Sequence, residues 1–333
     1  MNTGNMAETL TAAATSRRLV EVRLAQPSQL GDRLFKWLAM GMGLSVGVLI
    51  VLVGFTLWHG AAPAVHQFGP QFLTSSAWDP VQEVFGALPF IYGTLVSSLI
   101  GLVIAVPLSI GSAVFLTELA PVRVRQPIVS VIEMLSAVPS VIFGLWGIFV
   151  LVPWLRIHVF PVLQHLFGFL PLFQGPNYGV SMLAAGIIIA IMILPIITSV
   201  SREILRSVPD LQREAAYGLG ATRWEVTRIA VLSYAKRGLF GAVVLGLGRA
   251  LGETMAVTML IGNRPEISAS LLAPGYTLAS VIANEFSEAT TDLYLSALFE
   301  IGLVLFGVTI LTNILAQLLI ASTAGPKASR AVQ

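Results

Sequence analysis

Residues Leu211–Arg237 read LQREAAYGLGATRWEVTRIAVLSYAKR, a charged segment set between two long apolar runs. No other polar stretch between membrane-grade segments is as long, so its reading decides the fold. Glu214, Ala215 and Ala216 are followed, after three residues, by Gly220 and then by a second helical-looking run, TRWEVTRIAVL. The two alanines offer a helical face suited to close packing, and Gly220 permits a backbone turn that a side chain would obstruct. Glu214, Arg223, Glu225 and Arg228 can ion-pair across a protein interface. The pattern predicts a helix, a turn at the glycine and a second helix.

The surrounding composition says what the flanking runs are. Of 333 residues, 56% are hydrophobic and 11% charged, whereas soluble domains carry about 25% charged residues. A soluble domain is excluded, and the chain is expected to be an all-α, polytopic membrane protein. Six apolar segments, residues 37–58, 92–116, 127–152, 179–200, 239–261 and 294–320, each supply the roughly 20 residues needed to cross a ~30 Å hydrocarbon layer. The first is too long for a signal-peptide core of about 7 to 15 residues. Pro107, Pro139 and Pro195 fall within segments two, three and four and predict kinks. The chain has no cysteine, which excludes disulfides and thiolate chemistry.

The net charge is only +2, yet the 19 Lys and Arg residues are sharply clustered. Arg17, Arg18, Arg23, Arg33 and Lys36 precede the first segment, Arg123 and Arg125 follow the second, and Lys327 and Arg330 follow the sixth. A further group runs from Arg202 to Arg237, between segments four and five. Basic residues concentrate on the cytoplasmic side of membrane proteins. Both termini are therefore expected to be cytoplasmic, with tails at residues 1–36 and 323–333, a membrane domain at 37–322 and a cytoplasmic loop at 202–237. The segments from His59 to Gly86, Trp154 to Tyr178 and Gly262 to Leu293 become external loops.

Four ionisable residues fall within the expected spans: Glu133, Arg249, Glu253 and Glu300. Such residues are costly in lipid and should face protein or an aqueous path. Arg249 and Glu253 stand four apart in GLGRALGETMAV, which would place them on one helical face. At ~1.5 Å per residue, Arg249 would lie about 16 Å from the inner end and Glu253 about 6 Å further out. A permanently charged, planar guanidinium suits an oxyanion. Gly246, Gly248 and Gly252 leave helix surface bare for a neighbouring helix or a solute. Glu300 has a similar depth and joins the candidate pathway, while Glu133 lies close to the inner surface, where snorkelling or capping suffices.

The Glu214 to Gly220 pattern resembles the EAA loop of ATP-binding-cassette (ABC) importer permeases, which docks into a groove on a cytoplasmic ATPase. One departure is that Ala230-Val231-Leu232-Ser233 stands where that family usually has Ile-x-Leu-Pro. Longer phrases narrow the resemblance: Tyr92–Pro121, Glu133–Gly147 and Gly248–Asn263 resemble the C-type permease subunits of Pst phosphate importers. The resemblance implies a type I, MetI-like permease architecture in a bacterial inner membrane. It also implies a second, similar permease subunit, two copies of a cytoplasmic ATPase and a periplasmic phosphate-binding protein. ATP would be used by the partner ATPase, with no cofactor, metal or nucleic acid bound by this chain and no enzymatic activity of its own. Glu214, Ala215, Ala216, Gly220, Arg223 and Glu225 would couple to the ATPase; Arg249, Glu253 and Glu300 would line the pathway. Sulfate and molybdate permeases share an R-A-L-G-E phrase, so Arg249 and Glu253 alone specify an oxyanion and the longer phrases specify phosphate.

Two other patterns carry no chemistry. Gly43-Leu44-Ser45-Val46-Gly47 matches a nucleophile elbow but lies inside an apolar span without a preceding strand. His59, His66, His158 and His165 all fall in the expected external loops, as interfacial side chains rather than a metal site. No phosphate-binding G-x-x-x-x-G-K-[ST] loop occurs, so the chain cannot hydrolyse ATP by itself. The principal rival is a gradient-driven secondary transporter or channel, which has no use for an EAA loop. A membrane enzyme is disfavoured by the lack of a converging catalytic set.

Overall fold

The computed structural model describes residues 29–322. In chain order its helices are α1 (Gln29–Phe68), α2 (Leu88–Leu119), α3 (Val122–Ala137), α4 (Ser140–Phe167), α5 (Met182–Arg206) and α6 (Asp210–Gly218). There follow α7 (Arg223–Leu251), α8 (Met255–Ile261), α9 (Leu278–Glu285) and α10 (Asp292–Ser322). Among the described residues, α1, α2, α4, α5, α7 and α10 are long and apolar enough to cross a membrane, which agrees with the six spans expected. The expected N-terminal tail lies outside the described residues up to position 28, and from Gln29 onward it is already helix. The C-terminal tail, 323–333, also lies outside them.

The chain divides after Thr56. The first unit holds, among its described residues, only the beginning of α1. The second, from Leu57 onward, carries everything discussed below.

The fifth long apolar helix is Arg223–Leu251 rather than 239–261, and three further boundaries differ from the sequence expectation, each for a backbone reason. Pro139 does more than kink the third apolar segment: it holds Val138 in an extended conformation (φ −68°, ψ 127°), so α3 ends and a new helix begins. The third long apolar helix is thus Ser140–Phe167 rather than 127–152, and Glu133 sits on the shorter α3 outside it. Secondly, Pro153 and Pro161 do not stop α4 within the expected external loop. A wide i→i+5 turn stands just before each of them, at Gly147–Leu151 and Leu155–Val159, where the ladder has room for a proline ring. Finally, α1 continues through Pro63 to Phe68. All four histidines consequently lie on helices, two on α1 and two on α4.

The centre of the second unit is the pairing of α2 with α5. Gly101 and Gly186 face each other across it, and a Cβ on either would come within 2.6 Å of the opposing Ile189 or Ile100 side chain. Two backbones approach this closely only because both positions lack a side chain. The α7 and α8 helices add Ala242, Ala250, Val257 and Ile261 to the same core. At one end, α9 and α10 pack with the 74–87 segment around Trp78. Its ring lies 4.9 Å from Phe85 and 4.8 Å from Phe90. Glu285 accepts hydrogen bonds from the Trp78 indole (2.8 Å) and the Tyr294 hydroxyl (2.6 Å). Burial beside it pushes the Tyr276 phenol above its usual range. At the opposite end, Ala113 and Val114 of α2, Leu205 of α5 and Val231, Ala235 and Leu239 of α7 form a separate apolar base.

Gly186→Val would force a branched side chain into Ile100, and overpacking of this kind costs about 1–3 kcal/mol. Thermal unfolding of the purified chain in detergent should show a clearly lowered midpoint for Gly186→Val, and an unlowered or slightly raised one for Gly241→Ala, a helix-interior position where the structure leaves open space.

Candidate functional site

The elbow between α6 and α7 is closed by hydrogen bonds at both its helix ends. The Gly220 amide donates to the Tyr217 carbonyl (2.9 Å) and the Ala221 amide to the Ala216 carbonyl (3.2 Å), so the chain overwinds at the end of α6. This pair of bonds requires a left-handed residue, and Gly220 supplies it with φ +82°. Thr222 then caps α7. Its backbone amide donates to the Glu225 carboxylate (2.8 Å), while its hydroxyl accepts from the Glu225 amide (3.5 Å).

Two of the four charges expected at a partner interface are therefore used within the chain. Glu225 completes the cap, and the Arg223 guanidinium donates to the Glu118 carbonyl at the end of α2. Glu214, Ala215 and Arg228 remain exposed, and Ala216 is half-buried. Sequence reasoning missed the exposed apolar set on this elbow: Leu211 (75% exposed), Leu219 (90%) and Trp224 (61%). They sit among charges and outside any apolar run, so periodicity does not single them out.

Sequence reasoning also missed Arg213. Its guanidinium donates to the carbonyls of Leu205 (3.0 Å), in the last turn of α5, and of Val208 (2.6 Å), just beyond it, and the Leu205 carbonyl also accepts the Val208 amide at 3.4 Å. It also pairs with Glu118 at 3.0 Å and Asp210 at 3.2 Å. Both Arg213 and Glu118 are largely buried, which shields the pair from screening. One side chain thereby ties the elbow to α2 and α5. The available signal was Glu118 itself, an acid at the end of an apolar span, close to Arg123 and Arg125.

The second constellation lies where α7 stops. Helix geometry ends at Leu251, Gly252 has φ −92° and ψ 2°, and α8 starts only at Met255. The expectation that Arg249 and Glu253 share one helical face is thus corrected, because the i, i+4 rule fails across a broken helix. Glu253 instead stands in the break, outside both helices. Among the described residues, no ion pair within 4.0 Å joins the two. Arg249 is exposed instead in a cleft of about 550 Å³ with Ile196, Val244, Gly248 and Asn313. Non-helical backbone inside a membrane span is tolerated where it is covered by protein or lines a cavity.

The expected glycines separate into different uses. Gly246 packs on Ile197 of α5, Gly248 opens onto the cleft, and Gly252 marks the break. Glu300 does not join Arg249. It is buried on α10 beside a different cleft, lined by Trp58, Pro70, Ile91 and Leu303, and its Oε2 has no hydrogen-bond partner. Glu133 pairs with Arg202 of α5 at 3.5 Å.

A helical membrane chain with a capped elbow at one end and a broken, arginine-bearing helix within it has the form of a transporter subunit. Residues 105–324 match the family described as binding-protein-dependent transport system inner membrane component, and the chain belongs to that family. It is 47% identical to the phosphate transport system permease protein PstC of Mesorhizobium japonicum over 314 residues, covering 93% of this chain and 95% of the relative. The PstC of Haemophilus influenzae is also 47% identical, covering 87% and 93%. A probable PstC of Methanocaldococcus jannaschii is 36% identical, covering 84% and 91%. Among solved structures, an inward-facing MetNI methionine ABC transporter shares the fold at a TM-score of 0.51 and 17% identity, covering 72% of this chain and 95% of that one.

The left-handed turn can be tested directly. No atom stands near Gly220, so a substitution there meets only backbone strain of roughly 1–2 kcal/mol. Gly220→Asn should retain the elbow and Gly220→Val should loosen it, read as faster amide exchange and proteolysis between Leu219 and Thr222. Equal protection in both variants would contradict the turn.

Proposed function

We propose that this chain is the transmembrane permease subunit of an ATP-driven importer for inorganic phosphate, forming half of the translocation pathway. The observation that carries the reading is the 47% identity to PstC over 93% of the chain. The working complex would add a second, similar permease subunit, two copies of a cytoplasmic ATPase and a periplasmic phosphate-binding protein. The chain sits in a bacterial inner membrane with both termini cytoplasmic, consistent with its basic clusters. ATP is hydrolysed by the partner, and this chain binds no cofactor.

The mechanism is mechanical. ATP binding draws the two ATPases together, and α6 moves with the surface on which Leu211, Leu219 and Trp224 dock. The Arg213–Glu118 tie and the Thr222 cap pass that motion to α2, α5 and α7. The break at Gly252–Thr254 lets the far end of α7 shift relative to α8. Phosphate released by the binding protein passes the Arg249 cleft, where the guanidinium offsets the cost of an anion inside the membrane. That attraction must stay modest for the ion to leave. Glu253 can accept the proton that hydrogen phosphate carries, but the choice of phosphate over sulfate rests on the longer flanking phrases and the identity to PstC. Glu300 lines another cleft, which supports a pathway on the Arg249 side.

Labelled-phosphate uptake into vesicles holding the assembled complex tests this. Arg249→Gln should lower uptake about tenfold or more, equivalent to ~1.4 kcal/mol, and Arg249→Lys should retain more of it. Normal uptake by both would remove Arg249 from the path. Sulfate or molybdate competing as well as unlabelled phosphate would replace phosphate by another oxyanion, and uptake without the ATPase would replace the importer by a gradient-driven carrier.

A further inference from the structure

The α3 helix turns one face toward the end of α5, and between them lies a cleft of about 470 Å³ lined by Val122, Arg125, Gln126, Ser130, Arg202 and Arg206. Three guanidiniums thus share one small space at the end of the bundle that carries the α6 elbow. Arg202 and Arg206 stand one helical turn apart on α5. Arg125 reaches them from α3 after its Nη2 has donated to the Thr117 (3.1 Å) and Ala120 (3.3 Å) carbonyls, which fixes its position.

Acidic residues do not exhaust this charge. Arg202 pairs with Glu133 (3.5 Å) and Glu203 (3.1 Å), and Arg206 with Glu203 (3.7 Å). Both carboxylates are mostly exposed, with side chains 58% and 63% accessible, where pairing contributes little. Arg125 makes no ion pair among the described residues. The Nε–H groups of Arg125 and Arg202 are buried without an acceptor, so any further anion must be met by the terminal guanidinium nitrogens that line the cleft.

The apolar surroundings say what kind of anion belongs there. Val122, itself 71% exposed, and Val129 line the same cleft. Several arginines beside exposed apolar surface at the end of a membrane bundle fit a phosphate group that carries hydrocarbon chains. We infer that Arg125, Arg202 and Arg206 hold the headgroup phosphate of an anionic phospholipid, with its acyl chains along the apolar flank formed by Val122 and Val129. A free phosphate ion offers the same headgroup chemistry but no use for that flank. The assignment does not depend on which ion the chain transports.

Native mass spectrometry of the full-length chain, released from bilayers containing phosphatidylglycerol and cardiolipin, tests it. The wild type should retain one anionic phospholipid. Arg206→Gln and Gln126→Glu should each lower its occupancy about tenfold, and Arg206→Lys should recover part of it. Gln126→Glu leaves all three arginines in place and adds a repelling charge at an exposed position, so a loss there cannot arise from a collapsed ion-pair cluster. Unchanged melting temperatures would establish that the variants fold. In the second arm, labelled inorganic phosphate is titrated onto the chain in neutral-lipid nanodiscs. Retention of phospholipid that is lost in both variants and resists millimolar phosphate sustains the proposal. Saturable phosphate binding that disappears in the same variants, without lipid retention, overturns it in favour of a free-ion site. Lipid retention unaffected by either variant, or no binding in either arm, also overturns it.

Discussion

The contact on which the working architecture depends is a single guanidinium. Arg213 donates to two carbonyls at the end of α5 and pairs with Glu118 at the end of α2, in a largely buried position. A helix end inside protein leaves carbonyls that need donors, and removing one partner of a buried ion pair strands the other charge. The α6 segment is therefore held by groups that have no cheaper arrangement. The apolar base of Ala113, Leu205 and Val231 beneath it excludes water from the junction. Without this tie, α6 would be a surface helix hinged on one glycine.

A second constraint works within the membrane span, in the opposite sense. The elbow is over-determined, whereas α7 is interrupted at Gly252, leaving Glu253 and Thr254 outside both helices. Thr254 hydrogen-bonds locally through its hydroxyl to the Gly252 carbonyl at 3.2 Å, and Thr258 does the same to Thr254 at 2.8 Å. These bonds satisfy part of the freed backbone, as a break at this depth requires. The arrangement couples a stiff foot to a joint beside an arginine-lined cleft.

Much of this was legible in the residues. Six apolar runs of membrane length, the asymmetry of Lys and Arg, and the Glu214 to Gly220 spacing each rest on one-dimensional periodicity or charge. The helix-turn-helix at Gly220 and the arginine on α7 followed from them. What stayed hidden required three-dimensional or fine backbone information. Pro139 could equally kink or break a helix, and only Val138 in an extended conformation distinguishes the two. Wide turns before Pro153 and Pro161 leave no compositional trace. The i, i+4 pairing of Arg249 with Glu253 presumed an intact helix, and a run of Leu-Gly-Glu-Thr does not announce that the ladder stops there. Arg213 and Glu118 lie 95 positions apart, so their meeting depends on how α2, α5 and α6 fold together.

The uninterrupted length of α7 has a consequence for amplitude. From Arg223 to Arg249 the helix spans roughly 40 Å at ~1.5 Å per residue, so pivoting it by about 5° at its foot would sweep the guanidinium sideways by some 3 to 4 Å. That is comparable to the radius of a small hydrated ion, and it needs no unwinding, only a slight lean. The i→i+5 stretch at Val226–Leu232, close to the pivot, is the part of the rod best able to bend. Stroke would therefore be set by how stiff those few residues are, and an accelerator or brake on the machine could act there without touching either the nucleotide or the cargo.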